Sequence, residues 1–426
     1  MLRMTRSWLA RLAAVAFASA SVPAPSGPSA AGWIRSWGVS PMMRLDIPEL
    51  EDQLLEVKGK TLRERVRLSA GARQVRVRLS NEFGTYPLRI GAASIAVSAV
   101  GSAVSLVSLN ALRFGGLAAI TIPPGAPAVS DPIMLSVEPL TELTISLFLP
   151  EATRVETVHY ARPGQIYLSV DGDFTKTQRM PLRGGTISGA FLTGIDVVPA
   201  VPTQVIVTLG DSITDGVGGL GWPSHLAERL ATARDSLGPI AVVNTGIGGN
   251  RLLRDGSGAS ALARFDRDVL TVPGVAYLIL LEGINDIGWP GARATGRQLA
   301  PPEEAPDAQA IIAGYEQLIA RAHMHGLKVF GATLLPFAGI RTTQSGFYSA
   351  AKERVRRAVN EWIRSAGVFD GVFDFDATLR DPDDPSRLLP AYDSGDNLHP
   401  GAAGSGAMAN AVPLGVFRRL SCAPCC

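Results

Sequence analysis

Residues Val205 to Gly216 read VIVTLGDSITDG. An apolar, β-branched run passes into a Gly-Asp-Ser turn and then into a polar helix start. This places Ser212 at the carboxyl end of a buried strand, the edge at which open α/β sheets bind their ligands. Serine is also a favoured helix N-cap. Taken alone, the stretch leaves two alternatives for Ser212, nucleophile or cap.

Three further blocks lie outward from it. Asn244-Thr245-Gly246-Ile247-Gly248-Gly249-Asn250 follows a second apolar run, Ile240 to Val243, and Glu282-Gly283-Ile284-Asn285-Asp286 follows a third, Tyr277 to Leu281. Asp396-Asn397-Leu398-His399-Pro400 stands near the C-terminus. The order (strand-end serine, glycine and asparagine, then a late Asp-x-x-His) resembles the SGNH (GDSL-type) esterase and lipase family. The blocks run from Val205 to Pro400. The resemblance implies a flavodoxin-like three-layer α/β/α hydrolase domain and ester hydrolysis through an acyl-enzyme.

The chemistry can also be argued residue by residue. A serine hydroxyl needs a base to take its proton, and the base needs a third group to orient it. Among five histidines, His323 and His325 sit at a helix end, where histidine answers the last carbonyls and the helix dipole. His225 and His159 are set aside for want of a carboxylate at turn spacing. His399 has Asp396 three residues earlier in a turn-rich loop, so the carboxylate can hold Nδ1 and leave Nε2 to serve Ser212. Asp393 is the rival carboxylate.

The oxyanion donors expected are the Ser212 N–H, the Gly249 N–H and the Asn285 side-chain amide. The last two match the family's glycine and asparagine. A plain Gly248-Gly249 turn and an Asx-turn at Asn285 are the structural alternatives. Asp211, Asp215 and Asp286 are expected to accept backbone N–H bonds near helix starts. Trp222, Trp289 and Arg251 follow the loops closely, either walling the substrate pocket or joining the core.

From Trp33 to about Val198 the pattern changes to short alternating runs. Val75, Val77 and Leu79 alternate with Arg76, Arg78 and Ser80, and Leu143, Ile145, Leu147 and Leu149 alternate with Thr144, Ser146 and Phe148. Turn clusters such as Asn81-Glu82-Phe83-Gly84 punctuate them, which predicts an all-β sandwich of jelly-roll type over 32–198. Val197 to Pro202 reads as the linker to a hydrolase domain over 199–420. There the strands alternate with helices, including one through Ile311, Tyr315, Leu318 and Ile319 and one through Val355, Val359, Trp362 and Ile363. Alternation of this kind predicts a parallel sheet covered on both faces.

Arg3, Arg6 and Arg11 precede LAAVAFASASVPAPSGPSAAG, so residues 1–31 read as a signal peptide with a loose leader and predict export. The three cysteines, Cys422, Cys425 and Cys426, fall in a tail over 421–426 and cannot staple a core. With 40 basic and 38 acidic residues the chain presents no strong field for nucleic acid. The mature part carries no apolar run long enough to span a bilayer. No Gly-x-Ser-x-Gly, P-loop or His-Glu-x-x-His occurs, and no metal or organic cofactor is implied.

The function expected is an exported serine esterase. Its substrate is either short-chain acyl esters of carbohydrate, with acylated polysaccharide gripped by the β-domain, or short-chain esters generally. The alternative is a glycan-binding or adhesion protein with a vestigial hydrolase domain. Oligomeric state is left open.

Overall fold

The computed structural model describes residues 32–46, 56–160, 166–184, 188–216, 220–340 and 344–417. The leader expected at 1–31 and the cysteine tail at 421–426 lie outside the described residues.

The first half is built from strands β1 (Ile34–Gly38), β2 (Lys60–Arg67), β3 (Ala72–Ser80), β4 (Ala92–Val97), β5 (Asn110–Ala111), β6 (Pro127–Val129), β7 (Ile133–Val137), β8 (Glu142–Leu149), β9 (Thr157–His159), β10 (Ile166–Asp171) and β11 (Leu192–Val198). One antiparallel sheet runs β1-β11-β3-β6, with β7 also paired to β3, and a second runs β10-β2-β8-β4-β5. On β3 the predicted alternation holds as far as Arg78, with Val75, Val77 and Leu79 buried around half-exposed Arg76 and Arg78, but Ser80 is buried as well.

On β8 it does not hold, because Thr144 and Ser146 are buried as well. Behind this face lies Arg63, itself fully buried. Its guanidinium donates to Ser146 Oγ at 3.1 Å and to the carbonyls of Ser102, Phe174, Thr177 and Gln178. A satisfied polar staple takes the place of solvent there. Val197 and Val198 also depart from expectation. They form the end of β11, paired with β3, rather than a linker.

The second half is a parallel sheet of β12 (Gln204–Gly210), β13 (Ile240–Asn244), β14 (Val275–Leu281), β15 (Lys328–Ala332) and β16 (Gly371–Phe373). The spatial order is β13-β12-β14-β15-β16, which in chain order is the flavodoxin-like 2-1-3-4-5 arrangement. Val205, Ile206, Val207 and Leu209 of β12 are all fully buried, as befits a parallel strand covered on both faces. Burial of each such side chain contributes about 1.5–3 kcal/mol.

The helices used below are α1 (Ser212–Asp215), α2 (Trp222–Thr232), α3 (Ala261–Phe265), α4 (Ile284–Gly288), α5 (Ala308–Met324), α6 (Ala350–Ser365), α7 (Phe375–Leu379) and α8 (Ala402–Ala411). On α5, Ile311, Tyr315, Leu318 and Ile319 face inward as their spacing predicts. One edge of the parallel sheet is β13, and an open edge invites mispairing. The β-half covers it. Ser69 Oγ accepts the Val242 N–H at 3.0 Å, and Gly38 of β1 lies against Val243.

Candidate active site

β12 ends at Gly210, where a Cβ would stand 2.3 Å from Thr214 Oγ1 and 2.4 Å from the Leu281 carbonyl oxygen. Only glycine allows the strand to turn in that space. Asp211 then caps α1, its Oδ1 accepting the Ile213 N–H at 2.9 Å, so the cap is the residue before Ser212. The serine is thereby free of a capping role. Its Oγ lies 2.8 Å from His399 Nε2, and His399 Nδ1 lies 2.6 Å from Asp396 Oδ2.

The loop before α8 builds the second part of that chain. Asn397 takes a left-handed backbone, φ 58°, a conformation asparagine tolerates. The turn brings Asp396 Oδ1 onto the backbone N–H groups of Leu398 and His399, at 2.9 and 2.8 Å. Burial opposes ionisation of Asp396. The hydrogen bond and charge of His399, with the two backbone amides, nevertheless hold the carboxyl well below its ordinary range. Asp393, the rival, instead accepts the Asn397 N–H at 2.9 Å, fixing the loop.

Gly249 lies on the loop after β13 and Asn285 in the first turn of α4 after β14, the two strands that flank β12. Gly249 has φ 77°, and a Cβ there would meet Trp289 Cζ2 at 2.9 Å. Among the described residues no acceptor takes the backbone N–H of Ser212 or of Gly249. Asn285 Nδ2 donates to the Asn250 carbonyl at 2.9 Å, which engages one of its two hydrogens. The next residue, Asp286, accepts the Leu252 and Leu253 N–H groups at 2.6 and 2.9 Å. Two consecutive side chains of α4 therefore hold the loop that carries Gly249.

Beneath these loops lies Arg264 of α3, with a fully buried guanidinium. It donates to Gly210 O at 3.1 Å, Thr245 O at 2.6 Å and Asn250 Oδ1 at 2.9 Å, and it pairs with Asp268 at 3.1 Å. The planar fork thus ties the ends of β12 and β13 to the Gly249 loop. Asp211 and Glu282 lie close to it, with Asp286 next to them. Burial pushes Asp211 up to about 7, partly countered by the Ile213 N–H and by His399. Burial likewise lifts Asp286 to about 6 and Glu282 well above the carboxylate range, the latter also through Asp211. The sequence shows little of this, since ALARFDRD looks like an ordinary helical stretch; the only trace is the spacing of Ala261, Arg264, Phe265 and Asp268 on one face.

Several expectations need correction. Asp215 faces an imidazole, with Oδ1 3.1 Å from His159 Nε2. His225 does have a carboxylate one turn away, Glu228, with Nδ1–Oε2 3.4 Å, but Ser212 Oγ bonds His399. Trp222 is fully buried against Phe375, with ring centroids 5.4 Å apart, and belongs to the core. Trp289 lies against Gly249, with Arg251 5.5 Å from its ring centroid.

Residues 208–407 match the model of the GDSL-like lipase/acylhydrolase family. That region is a GDSL-like acylhydrolase domain. No curated protein matches the chain. Among solved structures, similarity is found to the acetylxylan esterase Axe2 from Geobacillus stearothermophilus (21% identity, 51% of this chain and 97% of that one, TM-score 0.36). A GDSL-like lipase from Bacteroides thetaiotaomicron is similar at 17% identity (50% and 87% coverage, TM-score 0.35). An α/β hydrolase from the metagenome of Lake Arreo, Spain, is similar at 21% (50% and 94% coverage, TM-score 0.37). No helix of the described residues is long and apolar enough to cross a membrane.

Proposed function

We propose that this chain is an exported serine esterase acting on short-chain carboxylic esters, of simple alcohols or of carbohydrate, through an acyl-enzyme. The observation that carries the proposal is the unbroken line from Ser212 Oγ through His399 to Asp396. Ser212 attacks the ester carbonyl as His399 Nε2 takes its proton. Asp396 keeps the proton on Nδ1 in the resting imidazole and stabilises the imidazolium that forms. The Ser212 and Gly249 N–H groups and the second hydrogen of the Asn285 amide receive the oxyanion, each donor accounting for roughly 10²–10³ in turnover. His399 then gives its proton to the leaving alcohol and activates water for deacylation. Residues 1–31 direct export, with the hydrolase domain over 199–420 following the β-domain over 32–198.

The test is turnover of p-nitrophenyl acetate and labelling by a fluorophosphonate probe, with Ser212→Ala as the variant. The wild type hydrolyses the ester and takes up one probe per chain. The variant does neither at unchanged melting temperature. Retained turnover or labelling in the folded variant removes Ser212 as nucleophile, and an unreactive wild type leaves the binding-protein alternative.

A further inference from the structure

We infer that Ser40 and His159, both from the β-half, are positioning residues of the Ser212 site, so that the first half completes the active site from behind. The inference rests on the esterase proposal and extends it.

Ser40 follows β1 and is fully buried. Its Oγ accepts from Arg264 Nη1 at 3.0 Å and donates to Thr245 O at 3.1 Å. Its carbonyl faces His159 Nδ1 at 3.1 Å, and His159 Nε2 faces Asp215 Oδ1. One hydrogen-bonded line therefore runs Asp215–His159–Ser40–Arg264 and branches to Gly210 O, Thr245 O and Asn250 Oδ1. One end lies on α1, three residues beyond Ser212. The other end holds the loop of Gly249 and, through Asn250, the amide of Asn285. Nucleophile and oxyanion donors are braced by the same two residues of the other half.

The chemistry of His159 supports a fixed strut. Both ring nitrogens face oxygen acceptors, so both are donors and the ring is an imidazolium. Burial works against that charge, while Asp215, the Ser40 carbonyl and Glu64 favour it and raise the pKa above the ordinary histidine value. Of the carboxyls facing it, Glu64 is itself pushed up to about 8 by burial, and Asp215 is the one hydrogen-bonded to the ring. α1 is a single turn and cannot hold its own direction by helical hydrogen bonds alone. Besides His159, the Asn244 amide grips it at Thr214 O, 2.7 Å.

The experiment compares Ser40→Ala, His159→Phe, His159→Gln and, as a control for stability alone, Val158→Ala, a buried neighbour on β9. Readouts are kcat and KM for p-nitrophenyl acetate, the rate of fluorophosphonate labelling of Ser212, and melting temperature. Loss of aim at a reacting centre costs about 10²-fold for a displacement near 1 Å. Ser40→Ala and His159→Phe are therefore expected to lower kcat and labelling rate together by about 10–100-fold, with KM nearly unchanged. His159→Gln, which keeps a donor toward Asp215, recovers part of the loss, and Val158→Ala loses stability without losing kcat.

Folded Ser40→Ala with wild-type kcat and labelling overturns the inference, as does an equal kcat loss in Val158→Ala. If His159→Phe does not fold, Ser40→Ala decides. If the wild type labels but does not turn over esters, the esterase proposal fails and the labelling rates alone judge the positioning role. If it does not label, both fall.

Discussion

Asp396→Asn isolates the orienting carboxylate with almost no change of shape. The present carboxylate uses both oxygens: Oδ1 accepts two backbone N–H groups at 2.9 and 2.8 Å, and Oδ2 faces His399 Nδ1 at 2.6 Å. In the amide, the remaining oxygen must stay on the two backbone donors, because an NH₂ there would oppose two N–H groups. The NH₂ therefore takes the place of Oδ2 and donates to Nδ1. That forces the imidazole proton onto Nε2, which then points at Ser212 Oγ as a donor and cannot receive its proton. A tautomer reversal of this kind lowers kcat by about 10³–10⁴, equivalent to roughly 4–5.5 kcal/mol at 1.36 kcal/mol per decade.

The assay is steady-state hydrolysis of p-nitrophenyl acetate at pH 8, alongside a melting curve. KM should change little. Because Asp396 is held below its ordinary range in the folded chain, its contribution to stability is present above the unfolded carboxyl pKa and is lost only as pH falls through the folded one. A modest loss of stability at neutral pH is therefore expected. Turnover within about tenfold of wild type, far short of the tautomer effect, refutes the geometry, and so does a larger loss in Asp393→Asn, whose carboxylate serves only the loop.

Two further outcomes follow from the site and its surroundings. Gly249→Ala places a methyl 2.9 Å from Trp289 Cζ2 on a backbone at φ 77°, so kcat should fall at least tenfold, toward the roughly 10² of a lost oxyanion donor. Gly248→Ala, where the carbonyl rather than the amide is engaged by Ser257 Oγ, should fall less, and reversal of that order moves the donor to Gly248. Glu64 is raised from 4.5 to about 8; such a group stabilises the fold fully below its unfolded pKa, and this is lost as pH rises through the folded one. Denaturant unfolding between pH 5 and 8 should therefore show a decline on the order of 4 kcal/mol at most from this group. Glu64→Gln should remove that share, and parallel curves for the two proteins would refute it.

The hydrolase half was legible because its signals are local. A β-branched run, a Gly-Asp-Ser turn and a carboxylate three residues from a histidine each express their chemistry within one turn of chain. The structure brings Ser212, His399 and Asp396 into one hydrogen-bonded line from blocks nearly the whole domain apart in sequence. What was not legible is what holds those blocks in register. Arg264 looks like any helical arginine, and its five-donor fork has meaning only once Gly210, Thr245 and Asn250 are adjacent. The same holds for the pairing of Asp215 with His159: the two lie 56 residues apart, and turn spacing carries no sign of a partner that distant.

The β-half marks the limit of period-two reasoning more sharply. Alternation on β3 correctly gave its buried face, yet on β8 the polar positions are buried too, since Arg63 reaches across to Ser146 and Ser98 bonds Thr144. A period of two says which side chains share a face and nothing about what covers it. Here one surface of the half lies on β13, where Ser69 closes the Val242 N–H that an open edge would leave free. The same region carries Ser40 and His159 toward Arg264 and Asp215. Closing a sheet edge needs only some donor or acceptor at the rim. Two fully satisfied polar side chains that bridge to the strand-end loops are more than closure requires, because each must be desolvated at a cost of about 1–3 kcal/mol if its partner is lost. That excess argues against a detachable grip and for a half whose removal disarms Ser212.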